Sequence, residues 1–387
     1  MRKAIALLLA LALLAPMLAG CAADTVTEPT AAPAVTETPP ETEPTGTENC
    51  GIYDEEPAET ETPPESTETT EAGNGEPEDE EAVICGHYSF QPKVCSSYMR
   101  DLFGEPMVEA WYALVDAVMA GEDSFPCPDK FTYDWVMGQF PDKCFPVLPE
   151  LIDYCYDRSN PVNDGVASFT WKLPKEEAAA RIAEFASLVE GILNETIEDD
   201  YSDFEKALAL YEYFARHYVY DYEAARPDVY ADYLSSYRVL TTGTGICQEF
   251  SVAYSYLLLQ AGVDASTMSG HRSYDRASHQ WSYVKINGHN FHIDPTYGLG
   301  DGGRLSYFMM TDAQREAEDC YLRSDYTLCS CYAQEYPPET AYTADDDSFR
   351  DIWGFYFSSI DHETKTLCYW EYSGSVPRSF TFDYTGW

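Results

Sequence analysis

Apolar side chains recur at helical spacing along 99–119 (MRDLFGEPMVEAWYALVDAVM), with a break at Gly104-Glu105-Pro106. A second helical stretch, 131–156, is interrupted by Pro141 and Pro146. Val166 to Leu173 alternates as a strand does, and Pro174 stops it. Pro174 also suits the start of a helix, and KEEAAARIAEFASLVEGIL follows with acid in its first turn. The segment 203–219 (DFEKALALYEYFARHYV) is amphipathic, with Asp203 as its predicted N-cap. Between Gln248 and Gln260 an apolar stripe of Phe250, Ala253, Tyr254, Leu257 and Leu258 predicts a further amphipathic helix, capped by Gly262. The period then changes from helical to two. Residues 279–286 and 289–296 read as paired strands about Asn287-Gly288, a type I′ hairpin signal. A Tyr/Phe/Trp-rich stretch, 349–385, reads as short strands.

The first 82 residues follow neither pattern. Arg2 and Lys3 precede an almost unbroken apolar run over 4–15, which predicts a signal peptide too short to span a bilayer well. Leu18-Ala19-Gly20-Cys21 looks like a bacterial lipobox, a resemblance that implies cleavage before Cys21 and lipid on its thiol. Residues 22–82 hold 19 acidic residues, 13 Thr and 9 Pro with no Lys or Arg. So little apolar surface cannot offset the entropy of ordering, so 21–82 is predicted to be a disordered, self-repelling tether. The remaining 305 residues suffice for a sizeable core and still carry a net charge of −27, which disfavours nucleic acid and anionic surfaces. Apart from Cys21 and Cys247 there are ten cysteines. An even number in an exported chain permits disulfides, while their scatter without a C-x-x-C pair argues against zinc.

Candidate chemistry concentrates in GTGICQEF (243–250) and SHQWSYVKINGHNFHIDPTYG (278–298). Cys247 stands at the start of a predicted helix, where unpaired N–H groups and the helix dipole favour a thiolate. A two-residue turn at Asn287-Gly288 pairs 286 with 289 and makes Asp294 the diagonal, same-face neighbour of His279. A carboxylate there can hold one ring nitrogen and leave the other to take the thiol proton. Val284, Ile286, Phe291 and Ile293 occupy the opposite face, as expected of a core. The candidate catalytic set is therefore Cys247, His279 and Asp294. His271, His289 and His292 are bystanders by this counting, and no metal or cofactor is implied.

The residues Gly245-x-Cys247, His279-x-Trp281, Asp294-Pro295-Thr296 and Tyr307-Phe308, with Tyr218-Val219-Tyr220-Asp221-Tyr222 upstream, resemble the transglutaminase-like superfamily over about 203–312. The resemblance implies an α+β chain with a papain-like core, its nucleophile-bearing helix packed on an antiparallel sheet. The implied layout is a lipoprotein signal peptide (1–20), the tether (21–82), a helical N-terminal region (83–173), the core (174–335) and a β-rich C-terminal segment (336–387). It also implies a membrane-anchored, extracytoplasmic cysteine enzyme. Cys247 would be nucleophile, His279 base and Asp294 the orienting acid, attacking peptide amides through a thioester that water or an amine resolves. Peptides or proteins, cell-wall peptides among them, are the expected partners, with the membrane reached through Cys21. A second oxyanion donor is unassigned: neither the Gln nor the Trp of such enzymes occurs between 204 and 246, leaving Tyr220, Tyr222, Tyr233 and Tyr237 as phenol donors. That gap keeps a rival expectation alive, a peptide- or cell-wall-binding module of the same fold with little or no turnover.

Overall fold

The computed structural model describes residues 87–153, 161–226, 234–299, 303–329, 342–373 and 376–387. Cys21, the predicted signal peptide, the tether and Tyr233 lie outside the described residues. Among the described residues no helix is long and apolar enough to cross a membrane.

The chain enters as an extended strap over 87–96. Its backbone has no strand partner, so side chains satisfy it. Asn194 bonds both N and O of Tyr88 (2.8 and 3.0 Å), Glu190 accepts from the Phe90 N–H (2.8 Å), and Gln260 brackets Gln91 (2.9 and 2.7 Å). The predicted break at Gly104 separates helix α1 (Ser97–Phe103) from α2 (Glu105–Met119). The interrupted helical stretch resolves into α3 (Lys130–Gly138), α4 (Pro141–Cys144) and α5 (Leu148–Leu151), divided as Pro141 and Pro146 require. The predicted strand is shorter than expected. β3 (Val166–Ser168) sits between β1 (Ser124–Pro126) and β2 (Val162–Asn163) in a small antiparallel sheet.

Two long helices follow, α6 (Lys175–Thr196) and α7 (Asp203–His217). The cap of α7 is Ser202 rather than Asp203. The Ser202 hydroxyl accepts from the Glu205 N–H (3.3 Å) and the Glu205 carboxylate accepts from the Ser202 N–H (2.7 Å), a reciprocal capping box. Glu205 is buried and does a second job. It accepts from Lys365 (2.8 Å), the Tyr384 hydroxyl (2.8 Å) and His362 (3.0 Å), tying the C-terminal strands to α7. These contacts hold its carboxyl down at about 2 against the opposing effect of burial.

A short parallel pair, β4 (Val219–Tyr220) and β5 (Thr244–Gly245), brackets α8 (Ser236–Thr242). Helix α9 (Cys247–Gln260) then crosses the main sheet. That sheet has the order β8-β7-β6-β9, from β6 (Asp264–His271), β7 (Ser278–Ile286), β8 (His289–Ile293) and β9 (Thr327–Leu328), all antiparallel. Sequence patterning predicted α9 as amphipathic. It is instead buried on nearly every face, because β6 and β7 cover one side and α7 and α8 another. Between β8 and β9 lies α10 (Asp312–Asp319), and the chain closes in a meander of β10 (Tyr356–Asp361), β11 (Thr366–Ser373) and β12 (Val376–Asp383). The result is α+β, with the nucleophile-bearing helix on an antiparallel sheet.

Candidate active site

The local fold first fixes the thiol. Gly245 passes so close to Val239 that an added Cβ would meet Val239 Cγ2 at 2.3 Å, so only glycine fits beside α8. The turn is locked by Glu249, buried one turn into α9. Its carboxylate accepts from the Ile246 N–H (3.0 Å) and takes a two-pronged pair from Arg238 (2.8 and 2.7 Å), which also reaches Asp221 (2.9 Å). Cys247 is thereby held as the first residue of α9, half-buried, with the helix N-terminus behind its sulfur.

The hairpin fixes the other two groups. Asn287 (φ 51°) and Gly288 (φ 83°) make the turn, and the ladder pairs Ile286 with His289, Val284 with Phe291 and Ser282 with Ile293. Pairing ends there, and Asp294 leaves the strand toward His279. His279 Nε2 and Asp294 Oδ2 are 2.6 Å apart, so Nε2–H donates to the carboxylate and Nδ1 faces the thiol. Asp294 is fully buried, and its Oδ1 also accepts from the Thr296 and Tyr297 N–H groups (3.1 and 3.2 Å). The structure thus brings Cys247, His279 and Asp294 together.

Sequence reasoning assigned packing to one face of the hairpin and chemistry to the other. In the structure both faces are buried: Ser282, Val284 and Ile286 on one, Trp281, Tyr283 and His292 on the other. His292 pairs in register with Tyr283. It accepts from Trp281 Nε1–H at Nδ1 (2.8 Å) and donates to Asp312 from Nε2 (2.8 Å), which fixes the indole under the site. Burial lowers its proton affinity despite Asp312, so it stays neutral. His289 pairs with Asp346 (3.0 Å), and His271 ends β6 opposite Ser278. Among the described residues no group of three or more His, Cys, Asp or Glu is gathered for a metal ion.

The electrostatics oppose burial. Burial disfavours a Cys247 thiolate, yet the charge and hydrogen bond of His279 and the Gln280 N–H outweigh it, so the thiol falls below its ordinary value. Burial likewise opposes charging of His279, but Asp294 and Cys247 push it up to about 9. Asp294 is held below the usual carboxylate range against its own burial, by His279 and by Arg315, whose Nη2 lies 2.8 Å from Oδ2. Both shifts act in favour of a thiolate–imidazolium pair on an ionised carboxylate. Arg315 had no sequence signal: a single arginine in a polar helix reads as a solvated charge, and its burial exists only in the fold.

Of the three candidate phenols among the described residues, Tyr220 is the one placed at the thiol. It pairs in register with Gly245, two residues before Cys247, and its ring lies over Phe250, one helical turn after it (6.5 Å, 26°). Burial, then the charge at Cys247, push its hydroxyl up, so it keeps its proton. Tyr222 is 77% exposed, and Tyr237 packs on Phe185.

A nucleophilic thiol on a helix N-terminus, backed by His and Asp from a hairpin, defines a papain-like class of site, and comparison agrees with that assignment. Residues 190–295 match the family model of the Transglutaminase-like superfamily, so the chain carries a transglutaminase-like core. Similar solved structures include a TGase (23% identity, 32% of this chain and 34% of that chain, TM-score 0.28). A second is a chain provisionally named a cysteine protease from Cytophaga hutchinsonii (18% identity, 37% and 45%, TM-score 0.24). A third, provisionally named a protease, is from Parabacteroides distasonis (10% identity, 34% and 34%, TM-score 0.23). The chain spans less than half the length of each of these. No curated protein matches it.

Proposed function

We propose that this chain is a cysteine enzyme acting on peptide amides outside the cell, anchored to a membrane through lipid on Cys21. The observation that carries the reading is the 2.6 Å His279–Asp294 bond beside a Cys247 thiol already biased toward thiolate. The thiolate attacks the amide carbonyl. The oxyanion is met by the Cys247 N–H at the start of α9 and by the Tyr220 hydroxyl. His279 then gives its Nδ1 proton to the leaving amine, and the C–N bond breaks to leave a thioester on Cys247. In the second half His279 takes a proton from water, giving hydrolysis, or from an amine, giving transfer. Either nucleophile releases the acyl group and regenerates the thiol. A net charge of −27 over 83–387 favours neutral or cationic peptides over acidic ones.

Cys247→Ala tests the reading. It is expected to abolish both amide cleavage and amine incorporation on cell-wall peptides, together with the fast phase of iodoacetamide labelling at pH 7, while Cys95 and Cys368 still label slowly. Full turnover in that variant would refute it.

A further inference from the structure

Arg315 is among the largest fully buried side chains of the protein. It projects from α10, beyond the 190–295 segment matched by the family model, and meets the candidate site from behind. Asp294 Oδ2 is shared: His279 Nε2 lies 2.6 Å from it and Arg315 Nη2 2.8 Å from it. The guanidinium is also enclosed by rings, with its central carbon 4.5 Å from the Trp281 centroid, 4.7 Å from Tyr321 and 5.5 Å from Tyr297. The same three rings pack on His279, at 6.0, 5.6 and 4.6 Å. Two cationic groups thus share one aromatic lining and one carboxylate oxygen.

We propose that Arg315 is a positioning residue of this site: it fixes the Asp294 carboxylate as the counter-ion of His279 and thereby sets how readily Cys247 gives up its proton. The inference rests on the cysteine-enzyme reading. Its physical basis is charge balance. With Arg315 present, the working state (thiolate, imidazolium, carboxylate, guanidinium) sums to zero in a dry environment. Without it the same state carries a net negative charge, and a negative surrounding penalises the thiolate directly. The bond to Oδ2 also leaves Asp294 one orientation, because Oδ1 is already held by the Thr296 and Tyr297 N–H groups. The other titratable groups facing this cluster are Tyr220 from β4, Tyr211 from α7, His292 from β8, and Tyr321 and Tyr326, all held neutral by burial. Behind His292, Asp312 and Arg323 pair with each other at 2.6 Å, which leaves Arg315 as the charge on Asp294 that a substitution can remove.

The test is the pH profile of Cys247 alkylation by iodoacetamide in the full chain, for wild type, Arg315→Gln and Arg315→Lys. Glutamine keeps a hydrogen-bond donor and loses the charge. Its alkylation midpoint is expected to rise by about one pH unit, with a roughly tenfold loss of rate below the midpoint. Lysine keeps the charge and should hold the midpoint near wild type. A merely structural arginine would lower the melting temperature of both variants and leave both midpoints in place, which overturns the proposal. So would a folded lysine variant whose midpoint rises by a full pH unit above wild type, a result that stands even if the glutamine variant fails to fold. If the wild-type thiol itself titrates as an ordinary cysteine, the cysteine-enzyme reading fails instead, and the two failures are distinct.

Discussion

Asp294→Asn removes the charge opposite His279 while keeping side-chain volume and an oxygen that Arg315 can still meet. The structure sets the size of the effect. His279 is raised from 6.5 to about 9, with Asp294 the first cause acting against burial. That difference corresponds to about 3 kcal/mol of preference for the imidazolium, or a few hundredfold in all, a share of which comes from Cys247 rather than Asp294. Iodoacetamide labelling of Cys247 at pH 7 should therefore slow by one to two orders of magnitude, and its pH profile should move up toward that of an ordinary thiol near ~8.5. Folding stability is a poor reporter of the same change. His279 is raised, so alone it stabilises the fold below pH 6.5, and that contribution is lost as pH climbs through about 9. Cys247 is lowered, so its contribution has the opposite slope and offsets that of His279. Melting temperatures should accordingly show a weaker pH dependence from this pair than from His279 alone. Unchanged alkylation at pH 7 in a folded Asp294→Asn variant would show that the carboxylate does not govern the thiol.

Tyr220→Phe should lower kcat on a peptide amide about a hundredfold with KM nearly unchanged and with alkylation of Cys247 intact, because the phenol meets charge only in the transition state. An equal loss in alkylation would instead place Tyr220 in ground-state activation. Glu205→Ala strips Lys365, Tyr384 and His362 of a buried partner and should cost about 3 kcal/mol, measured by urea unfolding. Since Glu205 is lowered to about 2, its charge contribution is complete above about pH 4.5 and fades as pH falls toward 2; a wild-type acid unfolding curve that the variant reproduces would contradict this. Gly245→Ala forces a methyl into Val239 and should destabilise by about 1–3 kcal/mol, with Val239→Ala restoring part of the loss if the clash is the cause.

The site was legible in the sequence where its geometry is local. Asn287-Gly288 sets a register by counting, and the helix after Cys247 follows from a short apolar stripe. What was illegible depends on burial or on distant chain. β6 (DASTMSGH) has no alternation, because both of its faces are covered and small polar residues sit against α9: Ser266 O accepts from the Ser255 hydroxyl at 2.7 Å. The α7 cap moved by one residue because only Ser202 has a Glu three residues on to reciprocate. Arg315 and the second His–Asp pair, His292 with Asp312, join α10 to the hairpin across 20 residues or so, a pairing no periodicity encodes.

The strap at 87–96 has a mechanical consequence. A pull applied at His87 is met first by Asp199, 3.4 Å from its ring, and then by Asn194, Glu190 and Gln260. Gln260 is the last residue of the helix that Cys247 begins, so tension is loaded onto the far end of the same rod that carries the thiol at its near end. Because the strap is gripped by side chains in series rather than by a strand ladder, it peels one grip at a time under load, and α6 yields its two grips before α9 is reached.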